Sequence, residues 1–292
     1  MAKVKAEYFT DPLCSWSWGN EPHYRKLKEE FGNQIQWRHR LGGLMEKWSE
    51  DFYDPLYNLT GGDVNSLAKH QEEVSMKTRM PIDASFWLEN PPSSSHPACI
   101  AVKAAGLQGF DLEDNYLRRV REGFLTEKRQ LDSGDALLKL AEGVPGIDLN
   151  RLQKDIDGGA AKQAFHDDWE AARHPVPEAR DIKVTEGHLR YSFPTLLLRG
   201  GTGEYRVLDA ENIYEDYLTA IRELAPGIKR GAPPAIETFV RKYRHVATQE
   251  VSVVCEVSWE EAEAALERLE KASTVRKRPV GHFCLWEWAG TP

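Results

Sequence analysis

The sequence predicts an α/β protein in which two strand-containing units are separated by a block of helices and followed by a small C-terminal unit. Residues 4–41 show strand, helix and strand patterns in turn. From residue 63 to residue 175 the apolar residues recur at helical spacing, and strand character returns over residues 190–210. The spacing of the apolar residues changes at each of these borders, because the residues that face the core recur every second position in a strand and every three to four positions in a helix.

The first unit is predicted to be strand–helix–strand. Residues 4–10 form an apolar strand, which an Asp-Pro turn at Asp11 and Pro12 closes. The apolar residues of "HYRKLKEEFG" fall on one helix face, and Gly32 ends that helix. "QIQWRHRLGG" then alternates apolar and polar residues, which predicts the second strand. A single cysteine, Cys14, lies at the first strand-to-helix junction.

The middle of the chain is predicted to be helical and the next part to contain a hairpin. Pro97 suits the first turn of the helix in "HPACIAVKAAGLQG", and Asp148 can cap a later one. "RYSFPTLLLRG" and "YRVLDA" flank the Gly-rich "GTGE", which predicts two paired strands. "NIYEDYLTAIREL" follows as an amphipathic helix. This order matches a thioredoxin-like fold with a helical insertion.

The C-terminal unit is predicted to be a small winged-helix-like domain, with three helices and the strand pair "VRKRPVGHFCLWEW". The Pro- and Gly-rich residues 225–234 are predicted to be a linker. The third helix, "SWEEAEAALERLEK", is rich in glutamate and would repel DNA phosphates, so protein contact or a homodimer is the better expectation. We predict four segments: 1–62, the first half of the thioredoxin-like domain; 63–178, the helical insertion; 179–226, its second half; and 233–292, the winged-helix-like domain.

The composition is that of an ordinary globular protein, with 292 residues, 41% hydrophobic and 29% charged. The net charge of −8 argues against a nucleic-acid binder that works through overall charge. No apolar run suits a signal peptide or a membrane span, which predicts a cytoplasmic protein without a membrane partner. The four cysteines form no CxxC pair and no cluster with metal-ligand spacing, so free thiols and no metal are expected: Cys14, Cys99, Cys255 and Cys284.

Cys14 stands in "DPLCSWSWG", at the predicted start of a helix. Unpaired backbone N–H groups and the helix dipole favour a thiolate there, and they can lower a cysteine pKa from about 8.5 to roughly 3.5–7.5. Three positions later, where a redox motif has its second cysteine, stands Ser17. Cys14 could instead be a small packing residue. Its place between strand and helix, among tryptophans, favours the reactive role.

Together with "FPT" at residues 193–195, "DPLCSWSWG" resembles the DsbA-like thioredoxin superfamily, in particular the cytosolic FrnE-type proteins and the Spx-adaptor group. "PACIAVKAAGLQG" and "FLTEKRQL" resemble the helical insert of that group, so the resemblance covers roughly residues 4–224. It implies an edge that binds an extended peptide or glutathione through main-chain hydrogen bonds. The implied site comprises the catalytic pair Cys14 and Ser17 and the substrate-binding residues Pro12, Trp16, Phe193, Pro194 (in cis) and Thr195.

Ser17 cannot resolve a mixed disulfide, so the first hypothesis is a thiol–disulfide oxidoreductase or isomerase of monothiol type. Its partners would be protein thiols or disulfides, with glutathione as thiol co-substrate and no bound cofactor. Whether Ser17 is native or an engineered replacement of cysteine stays open. The second hypothesis is a glutathione-dependent transferase or isomerase, because "DPLCSWSW" also resembles the kappa-class and hydroxychromene-carboxylate isomerase motif. The third is a non-catalytic protease adaptor, which the Spx-adaptor resemblance implies.

Overall fold

A computed structural model describes residues 4–48, 53–54, 59–60, 63–185 and 187–290. The strands are β1 (Val4–Thr10), β2 (Ile35–Leu41), β3 (Tyr53–Asp54), β4 (Leu59–Thr60), β5 (Ile182–Thr185), β6 (His188–Tyr191), β7 (Thr195–Arg199), β8 (Tyr205–Leu208), β9 (His245–Ala247), β10 (Val275–Val280) and β11 (Phe283–Trp288). The helices are α1 (Ser15–Gly19), α2 (Glu21–Phe31), α3 (Val64–Thr78), α4 (Phe86–Glu89), α5 (His96–Gly106), α6 (Phe110–Glu127), α7 (Gly134–Ala141), α8 (Leu149–Asp157), α9 (Gly159–Ala172), α10 (Tyr214–Leu224), α11 (Ile236–Tyr243), α12 (Thr248–Cys255) and α13 (Trp259–Lys271). None of these helices is long and apolar enough to cross a membrane.

A four-stranded sheet in the order β2–β1–β7–β8 forms the centre of the first domain. β1 runs parallel to β2 and antiparallel to β7, and β7 and β8 form the predicted hairpin. Alternate residues of β1 face opposite sides of the sheet. Val4, Ala6 and Tyr8 pack against α2 and α10, whereas Phe9 packs on the side that carries Cys14. The thioredoxin-like fold predicted from the sequence is confirmed.

Helices α3 to α9 lie between β2 and the β5–β6 hairpin in the chain, and they form the predicted helical block. The small residues of α5 let neighbouring helices approach closely, and Ala98, Ala101 and Ala105 are fully buried. Asp168 of α9 joins this block to the sheet. Its carboxylate accepts hydrogen bonds from the Arg40 guanidinium at 3.0 Å and from the Leu41 N–H at 3.3 Å, both on β2. The four segment boundaries stay a prediction.

The segment "RYSFPTLLLRG" is not one strand, as the sequence predicted, but parts of two strands in different sheets. β6 pairs with β5, a strand that the sequence did not predict, and β7 enters the central sheet. Pro194 has no N–H with which to continue a ladder. The Thr195 hydroxyl donates to the Ser192 carbonyl oxygen at 2.8 Å, which holds the turn between the two strands. The Phe193–Pro194 peptide bond is cis.

The C-terminal domain has the element order α11–β9–α12–α13–β10–β11, with a sheet in the order β10–β11–β9. This is the order of a winged helix, as predicted, except that the three-residue β9 was not foreseen. The domain has its own apolar core, in which Val240, Leu266 and Trp286 are fully buried. The Trp286 indole N–H donates to the Thr248 hydroxyl at 2.9 Å, so the polar group of this buried side chain has a hydrogen-bond partner.

The predicted linker is fastened to the first domain. The N–H of Gly231 donates to the Glu30 carbonyl oxygen at 2.7 Å, at the end of α2. Lys229 and Gln34 exchange two further hydrogen bonds, at 3.0 and 2.7 Å. Hydrogen bonds to the end of α2 and to Gln34 just after it therefore hold this Pro- and Gly-rich segment in place, and it does not serve as a free tether.

A buried ionic cluster holds the two domains together. Glu250 of α12 accepts hydrogen bonds from the Arg118 guanidinium at 3.0 and 3.1 Å, and Arg25 lies 2.9 Å away. The Glu122 carboxylate accepts from Arg118 at 2.8 Å and lies 2.8 Å from His245 Nδ1. Burial raises the pKa of Glu122, but His245 and Arg118 outweigh it and hold this pKa well below its ordinary value. The C-terminal domain is therefore bound to α2 and α6 through paired charges.

Candidate functional site

Cys14 immediately precedes α1, and its side chain caps that helix. Its sulfur accepts a hydrogen bond from the backbone N–H of Ser17 at 3.4 Å. As a thiol it donates to the carbonyl oxygen of Phe193 at 3.5 Å, and only 7% of the residue is exposed. The two motifs that the sequence analysis combined, "DPLCSWSWG" and "FPT", therefore meet at this sulfur.

Burial raises the pKa of the Cys14 thiol above its ordinary value, and the hydrogen bonds from Ser17 offset this only in part. The negative charge of Asp11 acts in the same direction as burial, because it disfavours a second anion. The expectation of a lowered pKa is wrong. Helix α1 is only five residues long, and taking a thiolate out of water costs more than its dipole supplies.

Asp11 fixes the loop that carries Cys14. It is fully buried, and its carboxylate accepts hydrogen bonds from the N–H of Leu13 at 2.9 Å and of Leu44 at 2.7 Å. The Ser95 hydroxyl donates to it at 3.0 Å from the start of α5. The thiol of Cys99 lies 3.5 Å away and is fully buried. One carboxylate thus joins the β1–α1 loop, the loop after β2 and the helical block.

The predicted site residues fall into two groups. Three of them line an open groove with a volume of about 1550 Å³: Cys14, Trp16 and Phe193. The other four are buried and do not contribute to its lining: Pro12, Ser17, Pro194 and Thr195. The Ser17 side chain, together with its backbone N–H, acts against the burial that raises the pKa of Cys14. No group of three or more His, Cys, Asp or Glu side chains within the described ranges is arranged to hold a metal ion.

Phe193 is fixed between a glycine and an arginine. A Cβ atom on Gly42 would lie 2.0 Å from the Phe193 ring, so only glycine allows the ring to lie there. The Arg190 guanidinium lies over the ring, 4.5 Å from its centroid, and its Nε donates to the Thr185 hydroxyl at 2.8 Å. The carbonyl group that faces Cys14 is therefore part of a rigid loop.

The walls of the groove contain residues that the sequence analysis did not single out. One wall comes from β5, β6 and β8 and carries charges of both signs, among them Asp181, Lys183 and Arg206. Another part of the lining comes from α1, α3 and α4 and combines apolar residues such as Leu67 and Trp87 with polar ones such as Gln71. No motif marks these positions. The only signal for the second part is the helical spacing of Leu67 and its neighbours on α3.

A family model described as thioredoxin matches residues 8–176, which is more than half of the chain. The chain belongs to the thioredoxin family. The resemblance to the thioredoxin superfamily that "DPLCSWSWG" and "FPT" carried is thereby confirmed.

Relatives of this thioredoxin-family protein include the ClpXP adapter protein SpxH of Halalkalibacterium halodurans, which is 28% identical over 96% of this chain and 87% of its own. SpxH of Bacillus subtilis is 27% identical over 97% and 88%. Among solved structures, the cytosolic disulfide reductase DsbM from Pseudomonas aeruginosa superposes with a TM-score of 0.57 and 21% identity, covering 76% of this chain and 100% of its own. The likeness to DsbM concerns the fold. The SpxH alignments extend through the C-terminal domain as well.

Proposed function

We propose that this thioredoxin-family protein is an adaptor that holds a segment of a client protein in the groove at Cys14 and presents it to a protease. One observation carries the proposal: Cys14 is a buried thiol, hydrogen-bonded to the Phe193 carbonyl, in a motif with Ser17 in place of the second cysteine. A site that keeps its sulfur protonated suits recognition better than disulfide exchange, which needs a thiolate. The ClpXP adapters that align with both domains support a protease partner.

The groove suits an extended client segment. β8 is the edge strand of the central sheet, and Tyr205, Arg206 and Val207 of this strand line the groove. An edge strand offers backbone N–H and C=O groups that an added strand can pair with. The mixed charges of the same wall, from Asp181 to Arg206, would select the register of that segment, because electrostatic complementarity mainly sets specificity.

The adaptor function predicts that client degradation depends on the groove and not on the Cys14 thiol. Protein half-lives would be measured across the proteome in cells that lack the protein and in cells that express the wild type, Cys14→Ala or the charge-reversed groove variant Lys183→Glu/Arg206→Glu. We expect a small set of proteins to be degraded only when the wild type or Cys14→Ala is present. A purified member of that set should be degraded faster by ClpXP when the adaptor is added.

Arg241→Glu serves as the control for charge reversal, because Arg241 is exposed on α11, outside the groove. It should restore degradation as the wild type does. If Cys14→Ala behaves like the deletion, thiol chemistry is required and the adaptor function is wrong.

A second candidate is the monothiol oxidoreductase or isomerase of the first hypothesis. The observation in its favour is that the Cys14 sulfur, although buried, belongs to the groove lining and lies beside the Pro194 loop. Glutathione or another small thiol would resolve its mixed disulfides. We place either function in the cytoplasm, where free cysteines such as those of this chain stay reduced. The glutathione-dependent transferase stays a prediction.

The reactivity of Cys14 separates the two candidates. Because burial raises its pKa, we expect alkylation by iodoacetamide at pH 7 to be slower in the native protein than in the unfolded chain, since less of the thiol is ionised. The rate should still rise above about pH 8.5, where an ordinary cysteine is half ionised. Mass spectrometry of the Cys14 peptide gives both rates. A rate that is already constant below pH 7 would put the oxidoreductase first.

A further inference from the structure

The free edge of β8 offers backbone groups at every second residue. β8 is the last strand of the central sheet, and among the strands that the structure describes only β7 pairs with it. Where their hairpin begins, the Gly200 N–H donates to the Glu204 carbonyl oxygen at 2.9 Å. Hydrogen-bonded pairs alternate along an antiparallel ladder, so Arg206 is the next residue of β8 to bond to β7. The N–H and C=O groups of Tyr205 and Val207 therefore point away from β7, to the free edge that lines the groove.

The side chains of β8 alternate between two surroundings. Tyr205 and Val207 pack against the apolar cluster that contains Cys14. Arg206 is exposed on the opposite face of the sheet, where its Nε donates to the carboxylate of Glu223 on α10 at 2.8 Å. A strand added to β8 continues this pleat, because residues directly opposite each other share a face. Its residues opposite Tyr205 and Val207 would therefore face the apolar cluster, and the residue between them would face Arg206.

Arg206 occupies one of the backbone groups that an added strand would use. Its Nη1 donates to the Tyr205 carbonyl oxygen at 2.9 Å. A strand that pairs with Tyr205 supplies its own N–H to this oxygen and releases the guanidinium N–H, which then needs another acceptor. The side chain directly opposite Arg206 can provide it. A guanidinium has five N–H donors, so Arg206 can bind a second carboxylate and keep its hydrogen bond to Glu223.

We propose that the client segment binds as an antiparallel strand on β8 through the three-residue sequence apolar–acidic–apolar. The two apolar residues would pair with Val207 and Tyr205, and the acidic residue would pair with Arg206. Antiparallel pairing is favoured because it lets one client residue exchange both hydrogen bonds with Val207, which stabilises a short strand better than parallel pairing. The inference rests on the proposed function, because it names what the groove recognises in a client.

The test uses acetylated and amidated pentapeptides Thr-Val-X-Val-Thr, where X is glutamate, glutamine or lysine, so that only the middle side chain differs. Binding is followed by the backbone ¹⁵N–¹H signals of Tyr205 and Val207. We expect the glutamate peptide to shift both signals and to bind about fivefold more tightly than the lysine peptide, with the glutamine peptide between them. In Arg206→Glu the order should be reversed. Arg241→Glu, at an exposed position of α11 outside the groove, should keep the wild-type order.

Val207→Pro tests the backbone pairing. Proline has no N–H, but the N–H of Val207 points to the free edge, so the ladder to β7 keeps its hydrogen bonds. We expect the glutamate peptide to bind this variant about tenfold more weakly, because the edge loses a donor and the proline ring obstructs the added strand. Unchanged amide signals of β7 show that the variant is folded, and Arg206→Glu tests the same edge without a change in the backbone.

Equal affinity for the three peptides, the same order of affinities in Arg206→Glu, or undiminished binding to a folded Val207→Pro would each overturn the inference. The experiment contains neither a client nor a protease, so a failed adaptor function does not decide it. Conversely, peptides that bind without preference would leave Cys14-independent degradation of clients unaffected.

Discussion

Replacing Glu250 by alanine is expected to lower the free energy of unfolding by about 3–5 kcal/mol, because it leaves buried charges without their counter-charge. Glu250 is fully buried, and both of its oxygens accept from Arg118 at 3.0 and 3.1 Å. Arg25 loses the same partner, which lies at 2.9 Å. The N–H of Ala247 also loses its acceptor at the start of α12, where the present distance is 2.7 Å.

Urea unfolding, followed by tryptophan fluorescence, measures this loss. Glu142→Ala is the control, because Glu142 is an exposed glutamate just after α7, and a change within about 0.5 kcal/mol is expected there. A loss below 1 kcal/mol for Glu250→Ala would show that the ionic cluster does not hold the two domains together.

The same substitution should also disturb the structure around Cys14. The Arg118 guanidinium lies 4.0 Å from the ring centroid of Trp18, and the Trp18 indole N–H donates to the Pro81 carbonyl oxygen at 3.0 Å. Trp18 belongs to α1, the helix that Cys14 caps. The path from Glu250 through Arg118 to α1 therefore consists of direct contacts. These contacts connect the C-terminal domain to the helix at Cys14, although that domain contributes few residues to the groove.

Local patterns predicted most of the regular structure. The alternation in "QIQWRHRLGG" and the helical period of "NIYEDYLTAIREL" depend on neighbours in sequence, and β2 and α10 lie where those patterns placed them. Short or interrupted elements were not predicted. β9 has three residues, too few to show a period, and the Pro194 turn divides what looked like one strand.

The site was predicted in part, through its motifs. The sequence placed Cys14 and Pro194 together by resemblance, but it could not give the protonation of the thiol. That depends on burial and on a carbonyl group 179 residues away in the chain, at Phe193. The same limit applies to Glu250. It lies on an ordinary helix pattern, and only the packing of distant elements makes it the centre of an ionic cluster.

Gly281→Ala is expected to destabilise the protein by about 2–5 kcal/mol, through backbone strain and a steric clash. Gly281 lies in the turn between β10 and β11, at the tip of the wing, with φ of +54°. A Cβ atom there would lie 2.2 Å from the carbonyl oxygen of Ile82, in the helical block of the first domain. The next residue, His282, lies 2.6 Å from Glu72 on α3. The wing tip is thus packed against the first domain.

Comparison with Gly32→Ala separates the effect of backbone strain from the effect of the clash with Ile82. Gly32 has φ of +48° and ψ of −135°, a backbone conformation that other residues rarely adopt, but a Cβ atom there would meet nothing within 4 Å, so a loss of about 1–3 kcal/mol is expected from the backbone alone. Hydrogen exchange would show the difference by region: Gly281→Ala should release protection in β10, β11 and α3, and Gly32→Ala should not. Equal losses of stability in the two variants would mean that the wing contact is loose. A larger loss for Gly281→Ala would mean that the wing tip fixes the C-terminal domain on the helical block.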